Sequence, residues 1–162
     1  MPFVDTKPGP SILGVISDTH GLLRQEGVTA LMGSDLILHA GDVGKPEILD
    51  LLGEIAPVVA VRGNIDKGAW AERLPLTTTV EAGPARIYML HDVNELDIDP
   101  ATGGFHLVIS GHSHQPGRGD RNGVIYLNPG SAGPQRFRLP ITVARIDLRQ
   151  TPWSVEILSV LP

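Results

Sequence analysis

Six short apolar runs in this chain each break off in a cluster of polar, mostly ionisable residues, and no other feature narrows the fold as much. Run 11–17 ends in Ser17-Asp18-Thr19-His20, run 35–40 in His39-Ala40-Gly41-Asp42, and run 57–62 in Arg62-Gly63-Asn64-Ile65-Asp66. Run 86–90 ends in His91-Asp92, run 107–110 in Gly111-His112-Ser113-His114, and run 124–127 in Asn128-Pro129-Gly130-Ser131. Continuous rather than alternating hydrophobicity over so few residues reads as a strand covered on both faces. Helix-like spacing over 22–32 and over 46–55, where Pro46 stands near a helix start, separates the first three runs. Strand, helix, strand, helix, strand is the rhythm of parallel βαβ units. Ligands of open α/β sheets bind beyond the carboxyl ends of the strands, so six clusters at six such ends converge on one place.

The second half is richer in strands. Runs 76–81, 86–90, 107–110, 124–127, 141–147 and 154–161 read as strands, mostly parted by Gly/Pro turns; helix is confined to a short piece after Trp70 and one near 94–101 that Pro100 ends. The whole reads as two packed sheets with helices outside, parallel early and mixed late. Its 162 residues fit one domain spanning 1–162, with residues 1–10, which hold three prolines and a glycine, as a flexible tail. The apolar stretch 155–160 either completes a sheet or pairs with a second copy, which leaves a homo-oligomer open.

Composition excludes several function classes. Without cysteine there is no disulfide scaffold, thiolate zinc site, iron–sulfur cluster or thiol nucleophile. A net charge of −5 with no basic run argues against binding nucleic-acid polymers or anionic membranes. No apolar stretch is long enough to span a bilayer and no signal peptide opens the chain, so a cytoplasmic location is expected.

The clusters hold metal-ligand chemistry. In extended chain residues i and i+2 face one side, so Asp18 and His20 can address one ion, as can His112 and His114. Gly41, Gly63 and Gly111 each precede a candidate ligand and let the backbone approach closely. Asp18, His20, Asp42, Asn64, His91, His112 and His114 are seven oxygen and nitrogen donors, too many for one tetrahedral site and the right number for two ions sharing a carboxylate. Such donors suit Mn²⁺, Fe²⁺, Zn²⁺ and similar ions.

Asp18-x-His20, Gly41-Asp42, Gly63-Asn64, His91 and Gly111-His112-x-His114 occur in the order found in the calcineurin-like metallophosphoesterases, which the chain resembles from about Ile12 to Leu148. Gly63-Asn64-x-Asp66 and Asn128-Pro129-Gly130-Ser131 resemble the small phosphodiesterase subfamily of the YfcE type. The resemblance implies an α/β fold, a four-layer αββα sandwich of two mixed sheets flanked by helices. It implies one divalent ion on Asp18, His20, Asp42 and His114 and another on Asp42, Asn64, His91 and His112, with Asp42 bridging. Mn²⁺ is expected first, with Ni²⁺, Fe²⁺, Zn²⁺ or Co²⁺ in its place. The implied reaction is hydrolysis of small phosphodiesters, and of monoesters, by a hydroxide bridging the ions. Asp42, Asn64, Asp66 and His91 are the residues expected about the reacting group. Two positions depart from the wider superfamily: Ile65 stands where many members have histidine, and Asp92 where glycine is usual, at the edge of the second ion. The alternative is a non-catalytic scaffold of the Vps29 type, a retromer subunit of similar fold that departs from the ligand pattern at a metal-binding histidine; this sequence keeps the histidines.

Other residues have two readings. His39 is either a buried, hydrogen-bonded histidine or a support beneath the site. Asp66 caps the short helix near 69–72 or serves loop structure, or else takes part in catalysis. Asn128-Pro129-Gly130-Ser131 is a plain turn or a wall of the site. Arg136 and Arg138 are solvated or hold phosphate, Arg62 is expected to pair locally with an acid rather than to meet substrate, His106 lies at the surface, and Asp97 and Asp99 form a solvated acidic loop.

Overall fold

The strand-end clusters expected from the sequence lie on the rim of two five-stranded sheets. The protein is described here by a computed structural model covering residues 9–161; of the tail expected at 1–10, residues 1–8 lie outside the described residues. The elements in chain order are β1 (Ile12–Ile16), α1 (Gln25–Leu31), β2 (Leu36–His39), α2 (Pro46–Gly53), β3 (Val58–Ala60), α3 (Ala69–Glu72), β4 (Thr77–Ala82), β5 (Ala85–Leu90), β6 (Leu107–Ile109), β7 (Gly117–Arg121), β8 (Val124–Asn128), β9 (Thr142–Asp147) and β10 (Ser154–Ser159), with one 3₁₀ turn at Val93–Glu95. The first sheet runs β10-β9-β1-β2-β3 and the second β4-β5-β6-β8-β7. Strands β1, β2 and β3 are parallel, as are β5, β6 and β8. The remaining strands join antiparallel at the flanks.

Side-chain alternation explains the layering. Leu13, Val15, Leu36 and Leu38 point inward and meet Ile87, Met89, Leu107, Ile109 and Leu127 of the other sheet in a buried core. Ile16 and Ile37 point the other way, against Leu31 of α1 and Ile48 and Leu52 of α2. On the second sheet Tyr88, Leu90, Val108 and Val124 are covered by Phe105 and Leu96 from the connection between β5 and β6. The fourth layer is thus one 3₁₀ turn and a shaped loop. The helix expected at 94–101 does not form. Pro100 disfavours helical geometry at the residue before it. The Asp99 carboxylate accepts from the Thr102 hydroxyl (2.7 Å) and makes a local turn instead.

Two other expectations change. Strand β7, Gly117–Arg121, has no apolar residue to mark it. It forms as an edge strand on β8 through a turn at Asn122 and Gly123, both with positive φ (53° and 79°), a pairing that favours tight hairpins. The apolar stretch 155–160 completes the first sheet, β10 pairing with β9 over six residues. Among the described residues no helix is long and apolar enough to cross a membrane.

Candidate metal centre

The loops after β1, β2 and β3 meet those after β5, β6 and β8. Backbone bonds join the first set, Asp18 N–H to Gly41 O (3.0 Å) and His20 N–H to Asp42 O (2.9 Å). Gly111 N–H to His91 O (2.9 Å) joins the second. The sheets are tied where the His112 N–H donates to Asp18 Oδ2 (3.0 Å).

All seven sequence-predicted ligands arrive at this rim. Ligand atoms of Asp18, His20 and His114 lie within 4.8 Å of one another, as do those of Asp18, Asp42 and His91. Asp18 Oδ1 is 3.3 Å from His114 Nε2 and 3.7 Å from His20 Nε2. Asp42 Oδ2 stands 3.5 Å from His20 Nε2 and 3.3 Å from His91 Nε2, between the two imidazoles. Both carboxylates therefore reach both groups of ligands. His112 and Asn64 complete the open side, His112 Nδ1 being 3.2 Å from Asn64 Oδ1 and 3.3 Å from His91 Nε2.

The spacing brings Asp18 to His20 and His112 to His114, but not through extended chain. Asp18, His20, Asp42, His112 and His114 all have left-handed backbone, with φ of 55°, 47°, 55°, 71° and 62°. Aspartate and histidine tolerate this region better than most residues, yet it is strained, and such residues cluster where function fixes geometry. The glycines act chiefly through space. A Cβ on Gly63 would overlap the Asp42 amide nitrogen and Oδ1, and one on Gly111 would overlap Ser17 Oγ.

Each carboxylate is divided between scaffold and site. Asp18 Oδ2 accepts from the Ser17 hydroxyl (2.6 Å) and the His112 amide, and Asp42 Oδ1 accepts from the Ile65 amide (3.1 Å). That leaves Asp18 Oδ1 and Asp42 Oδ2 facing inward. His91 Nδ1 donates to Ala40 O (2.7 Å), which turns a lone pair on Nε2 to the site. Asp18 Oδ1, His20 Nε2 and His114 Nε2 are buried without a hydrogen-bond partner. Buried polar atoms are rarely left so, and three converging in one place fit a divalent cation. Burial acts to raise the Asp18 carboxyl, yet the neighbouring His114 and His20 imidazoles, the bond from the Ser17 hydroxyl and the charge of His91 hold it well below the usual carboxylate range. Burial also acts to raise Asp42, and contact with His91 lowers it on balance. Burial would lower His91, but Asp42, Asp18 and the Ala40 carbonyl together raise it.

The secondary residues resolve differently from one another. Asp66, expected to cap a helix, serve loop structure or take part in catalysis, is held among the loops. Its carboxylate accepts from Gly63 (2.8 Å), Gly44 (2.9 Å) and Val43 (3.2 Å) amides and so braces the loops after β2 and β3. The N-cap of α3 is Gly68. Asn128 donates to Gly111 O (2.9 Å) and Ser113 Oγ (3.1 Å), holding the His112–His114 loop, and Ser131 Oγ donates to Asp18 O (3.0 Å). Its run is therefore a wall of the site. Ser17 and Thr19 were legible only as neighbours of Asp18; both are buried braces.

His39 is the buried support. Its Nδ1 accepts from the Gly41 amide (3.1 Å), and its Nε2 meets Thr19 Oγ1 (3.0 Å), which in turn donates to Val43 O (2.8 Å). The chain of donors assigns a neutral imidazole protonated at Nε2. Burial pushes its pKa down to about 4 from 6.5. The folded state thus binds this proton less readily than the unfolded chain. The associated stability is complete above pH 6.5 and is lost as pH falls towards 4, about 3 kcal/mol in all. Urea unfolding of wild type and His39→Gln at pH 7 and pH 4.5 should show a smaller acid loss in the variant; equal losses would refute the assignment.

Residues 12–151 match the calcineurin-like phosphoesterase superfamily domain. The chain is 36% identical over 149 residues to a probable metallophosphoesterase of Methanothermobacter thermautotrophicus, covering 84% of this chain and 86% of that protein. Its fold is similar to that of a novel archaeal phosphodiesterase (TM-score 0.76, 19% identity, 91% of this chain and 99% of that one). It is similar also to Vps29 of Chaetomium thermophilum (TM-score 0.74, 19% identity, 91% and 97%). These two likenesses speak for the fold alone, whereas the family match and the curated relative span most of the sequence. The chain belongs to the calcineurin-like phosphoesterase superfamily.

Proposed function

We propose that this protein is a hydrolase of small phosphodiesters, accepting monoesters as a second class, that works with two divalent ions. The observation that carries this reading is the convergence of Asp18 Oδ1, His20 Nε2 and His114 Nε2, buried and unpaired, beside an Asp42 oxygen set between His20 and His91. In it Asp18, His20, Asp42 and His114 hold one ion and Asp42, Asn64, His91 and His112 the other. Oxygen and imidazole donors favour Mn²⁺, with Ni²⁺, Fe²⁺, Zn²⁺ and Co²⁺ as substitutes. The chemistry such ions supply is polarisation of a phosphoryl group and activation of water near neutral pH.

The chain's own part is positional. Backbone amides and Ser17 fix the carboxylates, Ala40 fixes His91, and Asp66 locks the loops that carry Asp42 and Asn64. His112, with its side chain 44% exposed, and Asn64 leave the second position open to substrate. Ile65, 39% exposed, offers no imidazole to a leaving group. Likeness to Vps29 would favour a scaffold, and hydrolysis is what separates the two readings.

Protein loaded with Mn²⁺ should hydrolyse bis-p-nitrophenyl phosphate and lose that activity to a chelator. Failure with all of Mn²⁺, Ni²⁺, Co²⁺, Fe²⁺ and Zn²⁺ would reject the enzymatic reading in favour of the scaffold.

A further inference from the structure

Arg62 directly precedes Gly63-Asn64, and the sequence leads one to expect an acidic partner beside it. Among the described residues it has no ion-pair partner, and its Nε is buried without a hydrogen-bond acceptor. The other arginines with described side-chain bonds are committed: Arg86 to Glu81, Arg118 to Asp120, Arg149 to Asp147, and Arg24 and Arg145 to carbonyl oxygens. The Arg62 backbone is pinned by its amide bond to Pro75 O (2.9 Å). Arg62 lines a cleft of ≈ 230 Å³ together with Asn64, His91 and His112. Asp92 and Glu95 also line that cleft without pairing with Arg62. Asp92 is occupied elsewhere, Oδ1 accepting from the Asn94 amide (3.0 Å) and Oδ2 lying 3.7 Å from His112 Nε2.

A guanidinium cannot shed its charge in a protein, and a partly buried cation without an acceptor is unfavourable. An anion entering the cleft would remove that cost. A guanidinium is also the group best shaped to take two phosphate oxygens. We infer that Arg62 is a substrate-binding residue whose guanidinium donates to a non-bridging oxygen of the phosphoester, and of the phosphate released from monoesters, next to Asn64 and His112. This rests on the phosphoesterase reading and deepens it. Arg62 brings a protein-borne positive charge to the open side, where Ile65 brings none. It acts as a hydrogen-bond donor and does not protonate the leaving group.

The test is calorimetric titration of inorganic phosphate into Mn²⁺-loaded wild type, Arg62→Gln and Arg62→Lys, with metal content and thermal midpoint measured alongside. Arg62→Gln should weaken phosphate about 10- to 100-fold, the range for loss of a charge-assisted bond. Arg62→Lys, which keeps the charge but not the fork, should weaken it by a smaller factor, and both should keep the wild-type metal content. Unchanged phosphate affinity in Arg62→Gln overturns the assignment, as does metal loss from the folded Arg62→Lys protein. Mn²⁺-loaded wild type that hydrolyses bis-p-nitrophenyl phosphate yet takes up no phosphate overturns the Arg62 assignment alone, whereas wild type that does neither overturns the phosphoesterase reading, and Arg62's role falls with it.

Discussion

Asp42→Asn should cut phosphoester turnover about a thousandfold or more, several kcal/mol of transition-state stabilisation, and remove at least one ion per chain. The substitution changes almost nothing in shape. What it removes is a second acceptor. Asp42 Oδ1 receives the Ile65 amide while Oδ2 faces His20 and His91. An amide side chain can satisfy the Ile65 N–H only by turning its NH₂ towards the two imidazoles, and can offer an oxygen to the site only by setting its NH₂ against the Ile65 N–H. Neither orientation supplies the charge that a shared ligand brings to two cations. Turnover and elemental analysis of purified protein check both halves. Full retention of two ions per chain would contradict the shared role of Asp42, and would shift it to Asp18, whose Oδ1 also lies near ligands of both groups.

Gly63→Ala should destabilise the protein by about 3 kcal/mol or more and lower its metal content. The added methyl would fall on the Asp42 amide nitrogen and carboxylate, neither of which is a flexible chain end that can swing aside. One loop must move, and movement lengthens the bonds from Ile65 N–H to Asp42 and from Gly63 N–H to Asp66. Overpacking alone typically costs about 1–3 kcal/mol, and bonds to charged groups add to it. Gly27→Ala, where the new methyl meets nothing within 4 Å, is the matched control and should be neutral or mildly stabilising. Denaturant unfolding of the two variants separates a steric cause from a general intolerance of substitution. Equal stability of Gly63→Ala and wild type would show that the loops pack less closely than described.

Much of the site was legible because its signal is carried by residue type at strand ends. A strand buried on both faces reads as an unbroken apolar run, so the polar cluster after it marks the rim, as around Asp18, Asp42 and His112. What was not legible follows from the same physics. Five ligands are left-handed, and nothing in the letters Asp and His separates that conformation from the extended one the spacing suggests. Strand β7 buries nothing and so has no periodicity to read; only Asn122-Gly123 betrays the hairpin. The 94–101 segment has enough helix formers to suggest a helix, and a single turn closed by Asp99 and Thr102 displaces it. Asp66 is taken up by three amides, and Arg62, which lines the cleft, has no ion-pair partner among the described residues, outcomes set by loop geometry that the sequence does not encode locally.

The ligands come from two sides. Asp18, His20, Asp42 and Asn64 follow strands of the first sheet, whereas His91, His112 and His114 follow strands of the second. A cation shared by them would therefore also be a rivet between the sheets, added to direct ties at that edge from the His112 amide to Asp18, from His91 Nδ1 to Ala40 O and from Ser131 Oγ to Asp18 O. A species bound only when the sheets are together adds RT ln(1 + [L]/Kd) to the free energy of parting them. The concentration of free ion should then shift the temperature at which the sandwich opens, and a chelator should lower it.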